Sequence, residues 1–286
     1  MKYPSIYHYR QCENCTYKVI DYGKPYSILL SPNLSNTTLN GTILMICTQP
    51  HEKYLRHVFR ESTKTLRHHY NLSYFFTLTK DDSYLKGMER LEKEQSQYHD
   101  LLVFNHSNSY SNLALTVLLT YHYLHSLHLP THYIVKMDAD CAVNLPLLMS
   151  ILHSSEMSEL KYAYIGDCIS TSYNTVLPHL KNYIPQEIIQ NEPWLYAYAR
   201  GGLYILSYNT LTPLLVAIRH FPFITHHEDA MVGRAMYKMN IVCQSLNKEY
   251  WLARYGCSEL EECKKYVAIH PKENYKETKF YYSLFV

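Results

Sequence analysis

From about residue 42 onward, short apolar runs alternate with longer segments whose apolar residues recur at helical spacing. Thr42-Ile-Leu-Met-Ile-Cys-Thr48, Tyr74-Phe-Phe-Thr-Leu-Thr79 and Leu101-Leu-Val-Phe104 are short apolar runs of the kind that forms buried strands. Between them, His51 to Tyr70 is charged and helix-compatible, and Asp82 or Ser83 can cap a helix running to Tyr98. Asn108 to Leu127 carries apolar residues at helical spacing and leads into a fourth strand, Tyr133 to Lys136. Strand–helix alternation with buried-type strands predicts an α/β fold, a mostly parallel central sheet flanked by helices on both faces. The expectation is a Rossmann-like nucleotide-binding domain over residues 41–286. Residues 1–40 are polar and turn-rich without sustained periodicity, and read as a stem-like segment.

The fourth strand runs into two carboxylates one residue apart, Asp138 and Asp140. In an open α/β sheet, ligands sit beyond the carboxyl ends of the strands. Carboxylates there can hold a hard divalent cation, and the cation can hold a diphosphate. Alternation along an extended segment would put both on one side. The competing reading is a capped turn ahead of Asn144.

Composition narrows the classes. The 286-residue chain is 47% hydrophobic, enough for a sizeable core. A net charge of +2 gives no electrostatic footprint for nucleic acid. The 30 Tyr and 17 His suit a sugar site, although nucleotide bias of the genome accounts for the same counts and is the preferred reading. The N-terminus lacks a signal-peptide pattern. The apolar stretch Leu113 to Leu129, broken by Tyr121, His122, Tyr123, His125 and His128, falls short of the roughly 20 residues of a membrane span. The sequence is therefore expected to be soluble as it stands, or to be a fragment lacking its anchor.

An oxidising, lumenal setting is expected on two grounds. Asn-x-Ser/Thr acceptors stand at Asn14, Asn33, Asn36, Asn40, Asn71 and Asn105, where roughly two or three would arise by chance. The cysteines form an even set: Cys12, Cys15, Cys47, Cys141, Cys168, Cys243, Cys257 and Cys263. Cys257 and Cys263 are placed to staple a late loop, and Cys47 and Cys141, on apolar runs, read as buried thiols. Cys12 and Cys15 have no second pair at zinc spacing.

Further constellations carry chemistry. Glu228-Asp229 follows His226-His227 and opens a helix-like segment, Ala230 to Met239. An acceptor hydroxyl needs a positioned carboxylate to take its proton as it attacks, and Asp229 is the first candidate for that base, Glu228 the second. Helix capping is the competing and compatible account. Adjacent histidines chelate poorly on one face, which counts against a metal hydrolase. Gly201-Gly202 reads as a turn where backbone approaches a ligand closely. Trp194, Tyr196 and Tyr198 are candidates for an acceptor platform or for core packing. Arg56 and Arg60, one helical turn apart, are candidates to pin a diphosphate or uracil region, with surface solvation as the competing account.

Several segments then resemble one family in its own order: Arg56-His-Val-Phe-Arg60, Glu94 to Leu101, Ser109 to Leu115, Lys136-Met-Asp-Ala-Asp-Cys-Ala-Val-Asn144, Gly201-Gly-Leu-Tyr-Ile-Leu-Ser207 and Glu228-Asp-Ala-Met-Val-Gly233. From about Thr42 to His270 the chain resembles the β-1,3-galactosyltransferase family (glycosyltransferase family 31, GT-A fold). That resemblance implies an inverting hexosyltransferase. It would move galactose or N-acetylglucosamine from a UDP-sugar donor to a hydroxyl of a glycan or glycoprotein acceptor in β-1,3 linkage. It implies Mn²⁺, with Asp140 on the metal, Asp138 on the metal shell or the nucleotide, and a late histidine, His270, completing the shell. Lys136, Gly201 and Gly202 would border the donor. The Golgi lumen is the implied location, with a type II membrane anchor that this sequence does not display. The family's middle aspartate is Ala139 here, its Asn-Leu-Thr-Leu-Lys lysine is Thr116, and one glycine of its triple is Leu203. These departures keep open a non-catalytic carbohydrate- or nucleotide-binding relative; a metal phosphohydrolase, releasing phosphate without an acceptor, is the third reading.

Overall fold

A computed structural model describes residues 27–34, 41–81, 86–108, 112–170, 197–220, 227–246, 250–253, 255–271 and 276–285. Strands β2 (Gly41–Cys47), β3 (Ser73–Thr79), β4 (Leu101–Phe104) and β5 (Thr131–Asp138) are the four apolar runs of the sequence. They are joined through helices α1 (Lys53–Tyr70), α2 (Gly87–Tyr98) and α3 (Leu113–Ser126). The seven-stranded sheet has the order β1-β4-β3-β2-β5-β8-β7, where β1 is Ile28–Leu30, β7 is Tyr164–Ser170 and β8 is Ala197–Ser207. The β4-β3-β2-β5 core is parallel, whereas β1, β8 and β7 add on antiparallel, so the sheet is mixed. β1 lies within the segment expected to be stem, and Leu34 is buried in the core, so part of that segment belongs to the domain.

Strand alternation sorts the core into two layers. Leu44, Ile46, Val135, Met137 and Leu203 pack with α1 and with α4 (Leu145–Leu152). Ile43, Met45, Ile134, Tyr204 and Leu206 pack with α3, α5 (Leu211–His220) and α6 (Glu228–Lys238). The order has a functional consequence. From β2 the chain steps through β3 to β4, then crosses back to place β5 on the other side of β2. The switch point therefore falls between β2 and β5, whose ends carry Cys47 and Asp138 in register. Ligands of open α/β sheets bind at such a crevice.

A second sheet is small. β6 (Ala142–Val143) pairs antiparallel with β10 (Ala268–Ile269), which pairs parallel with β9 (Leu252–Ala253). It ties late sequence to the turn after β5. Helix α7 (Lys276–Ser283) adds two clamps: Thr278 Oγ1 donates to the Asp140 carbonyl (2.9 Å) and Tyr282 OH to the Cys141 carbonyl (3.1 Å).

Cys257 and Cys263 are bridged, and Cys47 and Cys141 are buried free thiols, as expected from sequence. A further bridge, Cys168–Cys243, spans 75 residues and ties β7 to the segment after α6. Asn33, Asn71 and Asn105 are exposed. Cys12, Cys15, Asn14, Asn36, Asn40, Asp82, Ser83, Ser109 to Ser111, Trp194, Tyr196 and His226 lie outside the described residues. Among those described, no helix is long and apolar enough to cross a membrane.

Helix α6 rests on β8 through Gly233, where a Cβ would stand 2.2 Å from the Tyr198 Cβ. Gly233→Ala should lift the helix and lower stability by about 1–3 kcal/mol, read as a drop in the urea midpoint. An unchanged midpoint would show that the helix re-seats freely.

Candidate active site

Lys136 is the centre of the site. Alternation points it from β5 toward α6, and its side chain is buried. The ammonium group has three hydrogens. It donates to Asp138 Oδ1 (2.7 Å) and to the Gly201 carbonyl (2.6 Å), and pairs with Glu228 Oε1 (2.6 Å). Burial alone would discharge it, but the charges of Asp138 and Glu228 hold it well above its ordinary value. Through its bond to Asp138 Oδ1, Lys136 orients that carboxylate.

Glu228 is enclosed too. Besides Lys136 it accepts from Tyr204 OH (3.1 Å), which in turn accepts from Tyr121 OH (2.7 Å). Burial pushes its carboxyl up to about 7 even with Lys136 alongside. A carboxylate locked in this network is poorly placed to meet an incoming hydroxyl, so the second-choice base is a supporting group. Asp229 differs. It is half-buried, at the first turn of α6, and each oxygen accepts one backbone amide: Oδ1 from Ala230 (2.8 Å) and Oδ2 from Gly201 (3.1 Å). Burial raises its carboxyl above the ordinary aspartate value against the pull of those amides.

Gly201 and Gly202 do not form a turn. They lie within β8, where the β7 register jumps from Gly166↔Tyr204 to Cys168↔Ala199 and the strand bulges. A Cβ on Gly201 would come 3.0 Å from Glu228 Oε1, and one on Gly202 3.0 Å from Leu252 Cδ2. The missing side chains let α6 and the small sheet close on β8. Beside them Arg200 Nη1 pairs with Asp167 Oδ2 (2.5 Å), a contact that sequence reading did not single out because the partners are distant in the chain.

The two aspartates are joined by a turn rather than by extended alternation. β5 ends at Asp138, and the Cys141 amide donates back to the Asp138 carbonyl (3.1 Å). Asp140 Oδ2 meets His270 Nε2 at 3.3 Å, the histidine standing at the end of β10. The hydrogen bond that the imidazole donates to Asp140 raises its pKa, and although burial opposes it, His270 holds the Asp140 carboxyl low. Asn144, after the turn, caps α4 by accepting from the Leu147 amide (3.2 Å), so the capped turn and the carboxylate pair coexist.

Asp140, Cys141 and His270 bring their ligand atoms together, with Asp138 at the start of the same turn, and the carboxylate–imidazole part of that set suits Mn²⁺ or Mg²⁺. The charge balance agrees: one ammonium serves both Asp138 and Glu228, with Asp140 and Asp229 nearby. Burial raises the Asp138 carboxyl against the pull of Lys136, and the charge of Asp140 adds to the rise. Cys141 Sγ lies with the Asp140 and His270 ligand atoms, and burial pushes its thiol pKa up.

Arg56 and Arg60 are not diphosphate anchors. Arg56 is fully buried and forks onto Glu94 (both bonds 2.9 Å), and Arg60 binds Asp100 (2.8 Å twice) and Glu94 (2.8 Å). The side chains at the family departures pack into the fold. Ala139 and Leu203 sit in the apolar core, and Thr116 bonds to the Asn112 carbonyl (3.1 Å) within α3.

Fold and site together define a nucleotide-type α/β crevice carrying an acidic, cation-suited cluster. The sequence pattern of the galactosyltransferase family matches residues 54–247, and the chain belongs to that family. Human N-acetyllactosaminide beta-1,3-N-acetylglucosaminyltransferase 2 is 25% identical over 57% of this chain and 40% of its own length. Lactosylceramide 1,3-N-acetyl-beta-D-glucosaminyltransferase A of Xenopus laevis is 25% identical over 79% of this chain and 62% of its own. The Arabidopsis thaliana protein named "Probable beta-1,3-galactosyltransferase 13" is 29% identical over 59% and 47%. The chain therefore spans between 40% and 62% of the length of these relatives. A galactosyltransferase crystallised with donor and acceptor sugar analogs superposes with a TM-score of 0.48 at 6% identity, covering 84% of this chain and 95% of that one.

Proposed function

We propose that the protein is an inverting, Mn²⁺-dependent β-1,3-glycosyltransferase of the secretory pathway, working in the Golgi lumen. It transfers galactose or N-acetylglucosamine from a UDP-sugar to a glycan hydroxyl, as in protein glycosylation. The observation that carries this reading is Asp229, a half-buried carboxylate fixed by two amides beside Gly201, in the cleft that holds Asp138, Asp140 and His270. Relatives named for both sugars leave both donors in view. The Cys168–Cys243 and Cys257–Cys263 bridges support an oxidising compartment.

Asp140 and His270 would hold the cation, with Asp138 in its shell. When bound, the cation neutralises charge growing on the departing diphosphate. Lys136 holds Asp138 in place. Asp229 takes the proton from the acceptor hydroxyl as that oxygen attacks the anomeric carbon from the side opposite the leaving group. A pKa raised by burial makes Asp229 a stronger base than an exposed aspartate. One base opposite one leaving group gives inversion in a single displacement.

Calorimetry with UDP, with and without Mn²⁺, tests the donor site. UDP should bind with Mn²⁺, and Asp140→Asn should abolish the metal-dependent part. Equal binding in Asp140→Asn, or none by wild type, would sink the reading.

A further inference from the structure

Arg56 and Arg60 share one carboxylate and one helix, yet their remaining contacts differ. Arg60 completes its bonding with Asp100, and its guanidinium carbon stacks 4.0 Å from the Tyr98 ring and 4.8 Å from Phe76. All of these belong to the body of the fold. Arg56 instead turns its free edge onto the loop that follows β2. Its Nη1 donates to the Gln49 carbonyl (2.7 Å) and lies 3.4 Å from Thr48 Oγ1, and its Nη2 donates to the Pro50 carbonyl (3.2 Å). Within that loop, Thr48 Oγ1 and the Gln49 amide both donate to Glu52 Oε2 (3.0 and 2.7 Å). The loop continues β2 at the switch point, where the Ala139 amide donates to the Cys47 carbonyl (2.9 Å), so it lies alongside the Asp138–Asp140 turn. Glu52 is half-buried there, near enough for the Asp140 charge to act on it.

We propose that Arg56 is a positioning residue for the nucleotide. It holds the Thr48–Glu52 loop in the shape that the nucleoside of the donor meets, while Arg60 only holds the fold. The proposal rests on the transferase reading above. Arginine is required because three acceptors on the loop and one carboxylate behind it need a planar fork with donors on several sides, which an ammonium cannot supply.

The test compares Arg56→Lys with Arg60→Lys, each keeping a cation opposite Glu94. Two readouts are taken on each: UDP affinity with Mn²⁺ by calorimetry, and hydrogen exchange of the amides of Gln49 and Glu52. Arg56→Lys should speed exchange in the loop and weaken UDP by at least about tenfold, the equivalent of a lost charged hydrogen bond. Arg60→Lys should lower the melting temperature yet keep UDP affinity within about twofold of wild type. Unchanged affinity in a folded Arg56→Lys, or equal weakening in both variants, overturns the proposal alone. A wild type that binds no UDP overturns the transferase reading and this proposal with it. If Arg56→Lys does not fold, Glu52→Gln loosens the same loop without uncovering a buried charge, and unchanged UDP affinity there is equally decisive against it.

Discussion

Asp229→Asn should leave Mn²⁺-dependent UDP binding intact while lowering sugar transfer by about 10²–10⁴-fold, the usual span for a lost general base. The separation follows from the geometry. Asp229 bonds to the Ala230 and Gly201 amides and touches neither Asp140 nor His270, so the cation cluster survives its loss. An asparagine can accept only one of those amides well, and a stability loss of about 1 kcal/mol should accompany the change. The pH profile gives a second readout. A base must be ionised to act, and burial raises the Asp229 carboxyl above the ordinary aspartate value. Transfer by wild type should therefore fall on acidification at higher pH than an exposed aspartate would dictate, and residual transfer by Asp229→Asn should lack that limb. Wild-type rates in Asp229→Asn would show that another group takes the proton.

Glu94→Ala should be the most damaging change away from the cleft, costing about 3–5 kcal/mol because buried Arg56 and Arg60 both lose a carboxylate. Against a total stability of about 5–15 kcal/mol, that puts the variant near unfolding at ordinary temperatures. Burial opposes ionisation of Glu94, but the two guanidinium groups win and hold its carboxyl below the ordinary 4.5. A lowered folded pKa stabilises above the unfolded value and loses that contribution as pH falls. Stability from Glu94 should thus be complete above about pH 4.5 and decline below it. Glu94→Gln, which keeps the shape, should flatten that part of the acid limb in urea titrations. A Glu94→Ala variant as stable as wild type would mean that the arginines find water or other partners.

Much of the fold was legible in the sequence because parallel strands buried on both faces read as unbroken apolar runs. The four core strands fall on those runs and a helix stands in each interval between them, although the helix before β4 starts at Gly87, after Lys86, rather than next to the expected caps Asp82 or Ser83. The misreadings share one physical cause, dependence on residues far away in the chain. Arg56 and Arg60 resembled solvated or ligand-facing charges because Glu94 and Asp100 lie 34 to 40 residues on. Gly201 and Gly202 read as a turn because paired glycine usually marks one. Here they permit close packing by α6 and by Leu252, which only the tertiary structure brings together. The small sheet escaped notice since its strands are two residues long and carry no period at all. Asp138 and Asp140 were visible from the strand that leads into them, but the route by which His270 reaches them was not.

That route bears on the order of folding. β2 to β5 can assemble as soon as residue 138 is made, since every parallel ladder of the core is then available. The Asp138–Cys141 turn is different. Its second ladder and its clamps come from residues 268–282, well over a hundred positions later and beyond the segment that matches the family. A chain emerging from the ribosome would therefore hold a nearly finished sheet whose carboxylate turn is still open, and would close it only when α7 docks. The chemistry of the cleft is completed by residues 268–282, so damage confined to that segment should abolish transfer while sparing most of the secondary structure.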